Sequence, residues 1–273
     1  MGKHILSIIG YILLIFLPDL AGIAAEVKGG IAIKTPVDGL TVMTMVSERD
    51  RGEDYLITAA WKLTKKGRVL HTLKYVEKRK YYRDNADIVY KSVVRYTAPP
   101  NIRNRSFLIW HYRNRVPALW YFVLGMHEAQ RTTNFELLRS PAETDFNLVD
   151  YYDINLGEEQ HKLLKSEPCE DGTCYVVECA SIKTHLPYGK RIIWVNQKNR
   201  IPLKIEYYDK KGILWKVLTI TWQNRDGVWF WKKGVVENRQ KDYKTFIAIE
   251  DVKVNRGLKD REFSKGVLQR QNF

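Results

Sequence analysis

Between Cys174 and Trp222 the chain runs strand after strand, and the last of these strands carries apolar residues on two faces. The segments Cys174–Cys179, Arg191–Val195, Ile201–Tyr208 and Ile213–Trp222 follow one another across short turns. Successive side chains of a strand point to opposite faces, so an antiparallel meander with one wet face shows clean alternation. Ile201, Leu203, Ile205 and Tyr207 alternate in that way. The next strand does not: Leu214, Leu218 and Trp222 share one face, while Ile213, Trp215 and Val217 share the other. The second face needs a cover, and the chain is short of helices to supply one. The pattern predicts a sheet with a concave apolar face.

The first 25 residues stand apart. Lys3 and His4 precede an apolar run from Ile5 to Leu17, and the small residues Ala21, Gly22, Ala24 and Ala25 follow. This is the order of a secretory signal, with cleavage expected after Ala24 or Ala25. The run is shorter than the roughly 20 residues of a membrane span, and Pro18-Asp19 ends it. Residues 26–273 are then expected to form a single exported domain.

Export makes the three cysteines legible. In Cys169-Glu-Asp-Gly-Thr-Cys174 the Asp171-Gly172 pair fits the centre of a two-residue hairpin turn. Cys169 would then face Cys174, close enough for a disulfide in an oxidising compartment. Cys179 has the opposite parity to Cys174 and reads as a buried free thiol. No paired Cys-x-x-Cys occurs, and no histidine is near in sequence, so no metal site is expected. The formal charge of +14 is spread over strands and turns. For an exported protein, acidic lipid or an acidic partner suits that charge better than nucleic acid does.

Helical spacing of Leu40, Met43 and Val46, with Val42 beside them, predicts a helix over Val37–Asp50 with Asp38 as N-cap. Strands are expected at Tyr55–Thr64, Val69–Lys80, Ile88–Thr97, Ser106–Tyr112 and Ala118–Leu124, and again from His161 to about Val254. Between Thr132 and Asp153 the pattern changes to short helical turns, with Ser140-Pro141 as a start signal. Leu258, Phe263 and Leu268 are expected to tuck the tail against the sheet. The fold class is mainly β (α+β). A long antiparallel sheet of this kind twists and curls into an incomplete β-barrel, with a few helices as lid or plug. No nucleophile elbow, phosphate loop, dinucleotide turn or His-Glu-x-x-His helix occurs, so neither an enzyme nor a cofactor is expected.

With these elements placed, the sequence resembles the LolA-like family of outer-membrane lipoprotein-sorting proteins. The segments that carry the resemblance begin with Asp38-Gly-Leu-Thr-Val-Met-Thr-Met-Val-Ser-Glu-Arg49, Arg95-Tyr-Thr-Ala-Pro99 and Ala118-Leu-Trp-Tyr-Phe-Val-Leu124. Asp145-Phe146 with Asp150, Cys174-Tyr-Val-Val-Glu178 and Ile192-Ile-Trp-Val-Asn196 running into Arg200-Ile-Pro-Leu203 come next. Glu206-Tyr-Tyr-Asp209 and Gly257-Leu-Lys-Asp260 with Phe263 complete the match. In one place the chain departs from its relatives: Pro141-Ala-Glu-Thr-Asp145-Phe-Asn-Leu replaces their glycine and Ser-Asp-Phe.

The resemblance implies a LolA/LolB-like half-barrel that shields the acyl chains of a lipid or lipoprotein in the periplasm. It also implies an inner-membrane transporter as donor and an outer-membrane acceptor. Trp110, Trp120, Phe122, Trp194, Leu203, Trp215 and Trp222 are the candidate cavity residues, with ordinary core packing as the alternative for each. Phe146 and Val149 are the candidate lid. The competing function is an accessory subunit that docks a membrane transporter or envelope complex and binds no lipid.

Overall fold

The first and last strands of the chain meet in the middle of the sheet. The computed structural model describes residues 37–132, 144–146, 150, 156–182 and 186–270; the expected signal, the Ser140-Pro141 start and Val149 lie outside them. Thirteen strands form one sheet in the order β6-β5-β4-β3-β2-β1-β13-β12-β11-β10-β9-β8-β7. They are β1 (Asp54–Lys65), β2 (Arg68–Tyr81), β3 (Ile88–Ala98), β4 (Ser106–Tyr112), β5 (Ala118–Phe122), β6 (Gln130–Thr132) and β7 (Glu159–Cys169). After these come β8 (Gly172–Ser181), β9 (Lys190–Asn196), β10 (Pro202–Tyr208), β11 (Leu214–Arg225), β12 (Val228–Asn238) and β13 (Tyr243–Val254). Pairing is antiparallel throughout, and β1 lies between β2 and β13. The edge strands β6 and β7 do not pair with each other, so the barrel stays open.

The hairpins follow from local turn chemistry. Lys66-Gly67 and Asp226-Gly227 take φ of 48°, 78°, 50° and 86°, the left-handed pair that a two-residue turn between twisted strands requires. The disulfide hairpin differs from expectation by one residue. Cys169 pairs with Gly172, so the loop is Glu170-Asp171, and Glu167 rather than Cys169 stands opposite Cys174. Gly172, at φ +112°, closes this turn instead of occupying its centre. The Cys169–Cys174 disulfide forms all the same, across a Cα–Cα distance of 5.9 Å, because a diagonal neighbour on a twisted hairpin is still within reach.

Helix α1 (Gly39–Ser47) starts as expected, with the Thr41 amide donating to Asp38 Oδ1 at 2.7 Å. Its buried face is Gly39, Val42, Met43 and Val46, and Leu40 is exposed. The expectation that Leu40 faces the core is therefore corrected. A Cβ on Gly39 would lie 2.7 Å from backbone atoms of His161, Lys162 and Leu163. The helix turns its smallest residue to β7, and that rotation carries Leu40 outward.

The sheet has two apolar layers on opposite faces. On the concave face α1 and the inward residues of β1, β2 and β8–β13 form the main core. On the other face the C-terminal tail, ending in α2 (Lys265–Leu268), covers β3–β5. The tail is tied down by buried polar groups. Asp54 accepts from the amides of Arg256, Gly257 and Leu258 at 2.7, 2.9 and 3.0 Å. Arg95 Nη2 and Ser106 Oγ donate to the carbonyls of Val267 and Leu268, both at 2.9 Å. Phe263, Val267 and Leu268 are all buried.

Candidate functional site

A cavity of about 220 Å³ opens on the concave face. Its apolar lining includes Ile193 of β9, Ile205 of β10, Leu218, Ile220 and Trp222 of β11, and Phe230 and Trp231 of β12. Its charged lining includes Arg49 and Arg51 just after α1, Arg79 of β2, and Glu159 and Arg191 of β7 and β9.

Of the seven aromatic and apolar residues singled out from the sequence, Trp222 lines this cavity. Its indole N–H donates to the Pro202 carbonyl at 2.7 Å, and the Arg49 guanidinium lies 5.4 Å above its ring. Trp110, Trp120 and Phe122 lie in the layer beneath the tail. Directly paired residues share a face. Trp120 pairs with Leu108, Leu108 with Val93, and Val93 with Lys78, whereas the neighbouring Arg79 lines the cavity. Trp120 thus points away from the cavity. It packs edge-on to Trp110 at 5.3 Å, and Trp110 donates to the Phe263 carbonyl at 3.2 Å.

Trp194 alternates with the buried Ile193 and Val195 and faces outward. There it donates to Glu167 at 2.5 Å and lies under Lys204 Nζ at 3.4 Å. Lys204 and Glu167 thus cover Trp194 without a helix, as long polar side chains with apolar stems can. Val217 is half-buried on the same outer side, whereas Trp215 is the extra residue of a bulge between Leu214 and Lys216, with its ring 4.8 Å from the buried Lys216 Nζ. Leu203 sits at a register shift between Pro202 and Lys204 and is not among the lining residues.

The lid residue Phe146 is fully buried on the concave side. Its ring meets Trp61 at 5.3 Å and Trp231 at 6.0 Å, edge to face in both cases. Two polar ties hold its flanks to the sheet. Asn238 Nδ2 donates to Asp145 Oδ1 at 2.7 Å. Lys216 Nζ donates to the Asp145 carbonyl at 3.1 Å and forms an ion pair with Asp150. Both side chains of this pair are buried, Lys216 at 0% and Asp150 at 1% exposure. The sequence held a signal for this latch: Lys216 shares its parity with Leu218 and Ile220, in the middle of an apolar strand.

A second buried pair, Arg191–Glu159, is bidentate at 3.0 and 2.5 Å. Glu159, His161 and Cys179 also bring donor atoms within 4.8 Å of one another, a grouping hidden in the sequence because β7 and β8 pair His161 with Cys179. Each donor is already engaged. Glu159 holds Arg191, and His161 lies between the Cys179 sulfur at 3.3 Å and the Leu156 carbonyl at 3.1 Å. Burial pushes the Cys179 thiol up to about 12, so it is neutral near pH 7, and the thiolate is the reactive and metal-binding form. The expected result is that native protein resists iodoacetamide at pH 8, while unfolded, unreduced protein is alkylated at Cys179 alone. Alkylation of Cys169 in exported material would contradict the disulfide.

This architecture, an open thirteen-stranded antiparallel half-barrel with a cavity on its concave face, is a fold found among solved structures. Three crystal structures share it, each matched over 85% of this chain. A DUF1329 family protein from Desulfovibrio piger is 23% identical, with a TM-score of 0.77 and 98% of its chain covered. A putative outer-membrane lipoprotein-sorting protein domain from Vibrio parahaemolyticus is 22% identical, with a TM-score of 0.76 and 98% covered. A LolA superfamily protein from Nitrosomonas europaea is 23% identical, with a TM-score of 0.65 and 99% covered. A family model described as an uncharacterized protein matches residues 89–270, and the chain belongs to that family. No curated protein matches. Among the described residues, no helix is long and apolar enough to cross a membrane.

Proposed function

We propose that this protein is a periplasmic carrier, not an enzyme, that shields an acyl chain of a lipid or lipoprotein during transfer between envelope membranes. The observation that carries this reading is the apolar lining from Ile193 to Trp222 of a cavity that also reaches Trp231, against which the buried Phe146 ring packs. An acyl chain needs burial rather than chemistry, at about 0.8 kcal/mol per methylene removed from water. In this reading the apolar lining takes the chain, and the arginines of the lining take the polar head. An inner-membrane transporter is the donor and an outer-membrane component the acceptor. The mature domain spans 26–273, which N-terminal sequencing checks.

One observation favours the second reading, an accessory subunit that docks an envelope complex. The cavity of about 220 Å³ lies below the ~300–1,000 Å³ typical of small-molecule pockets. On the carrier reading, Phe146 must leave before a full chain enters.

Substitutions on β11 separate the two. Ile220→Glu and Trp222→Glu place charge on the cavity wall, while Thr219→Glu and Thr221→Glu change exposed positions of the same strand. As a carrier, the protein purified from its own periplasm yields lipid on extraction and mass spectrometry. The inward variants should lose that lipid and a fluorescent acyl probe at least in part independently of melting, and the outward variants should keep both. Wild-type protein that yields no lipid and binds no probe would leave the docking subunit as the function.

A further inference from the structure

The two rims of the half-barrel differ in chemistry. Antiparallel order puts the turns β1–β2, β3–β4, β5–β6, β8–β9, β10–β11 and β12–β13 at one rim, and the remaining hairpin turns at the other. At the first rim the large apolar residues Val69, Leu70, Leu124, Ile182 and Ile213 are exposed; among the described residues, the turns of the other rim expose Val116. Charge follows the same division. Turns 66–67, 99–105, 123–129, 209–213 and 239–242 hold seven Lys or Arg against three acids. At the other rim, turns 82–87, 113–117, 170–171, 197–201 and 226–227 hold five of each.

Three of the basic turns form one patch. Lys65 at the end of β1 pairs with Tyr243 at the start of β13, so these tips stand side by side. The Arg239 amide donates to the Trp215 carbonyl at 2.8 Å, and Gln240 Nε2 donates to Asp209 at 3.2 Å. These bonds join the β12–β13 tip to the β10–β11 tip. The β1–β2 hairpin also projects. β2 first pairs with β3 at Lys74, and Arg68–Thr72 are exposed on both faces. Val69 and Leu70 are both exposed there, with Leu70 the extra residue of a bulge between Val69 and His71.

We infer that this rim binds an anionic lipid surface, its aliphatic tips entering the interface and its Lys and Arg residues meeting the headgroups. Protein interfaces are depleted in Lys and enriched in aromatics at their centres; here single aliphatic residues stand among lysines, the composition that suits a headgroup layer. The inference is separate from acyl-chain carriage: a docking subunit without lipid would pass the test below and fail the probe assay.

The test is co-sedimentation of the exported protein with vesicles of phosphatidylglycerol mixed with phosphatidylcholine, beside vesicles of phosphatidylcholine alone. Association should need the anionic lipid and weaken as salt is added. Two double variants address the two parts of the contact: Leu70→Ser with Ile213→Ser, and Arg68→Glu with Lys211→Glu. Each should weaken association about tenfold or more with unchanged melting. Val116→Ser with Lys198→Glu, at the other rim, should leave it intact. No association, equal association with neutral vesicles, or an equal loss in the control variant would overturn the inference.

Discussion

Lys216→Met should cost about 3–5 kcal/mol, among the largest effects of any single substitution, because it leaves the Asp150 carboxylate buried without its cation. Methionine keeps most of the volume, so the loss reports charge rather than a hole. Urea unfolding of the single variants Lys216→Met and Asp150→Leu, and of the two combined, measures it. The double variant should recover much of the loss, since a buried ion pair replaced whole by apolar residues is often neutral or better. It also removes a tie between the Phe146 segment and β11, and acyl-probe exchange should speed up. Single variants that each lose less than about 1 kcal/mol, with no recovery in the double, would show that the pair bears no net charge burden.

Phe146→Ala should destabilise by about 3–5 kcal/mol, the range for truncating a core aromatic. The ring is fully buried and sits edge-on to Trp61 and Trp231, and each such pair contributes about 0.5–1.5 kcal/mol beyond its area. Trp231 also lines the cavity, so the space vacated by the ring adjoins it. Binding of a fluorescent acyl probe should therefore tighten, or its exchange quicken, while Phe146→Leu falls between the two. A variant that loses the expected stability with affinity and exchange unchanged would make residues 144–146 plain packing, and the gating role would fail.

The local elements were legible because each rests on near neighbours. Asp38 caps α1, the five early strands lie within a residue or two of their expected bounds, and Cys169 and Cys174 join across a hairpin. Parity along β11 held from Lys216 to Trp222, placing Trp222 with Leu218 and opposite Val217, but a bulge at Trp215 breaks it and pairs Leu214 with Tyr208 instead of leaving it on the Leu218 side. The short strand β6 went unseen, since Gln130–Thr132 carries no apolar alternation.

The sequence by itself determined that the chain is an antiparallel meander too long to stay flat, with an apolar excess on both sides. It did not determine which side is concave. Parity sorts the residues of one strand into two faces, but the curvature of thirteen paired strands decides which face encloses space. The tail then covers the outer side of β3–β5 and takes Trp110, Trp120 and Phe122 into a second core. Lys and Glu side chains cover Trp194. Of the three buried charge pairs among the described residues, Arg79–Glu77 is local to β2, and the other two are tertiary. Lys216 meets Asp150 from 66 residues away, and Arg191 meets Glu159 from 32. Neither partner carries a local mark of the other, because an ion pair is selected by distance in space and sequence spacing constrains it only within a turn or a hairpin.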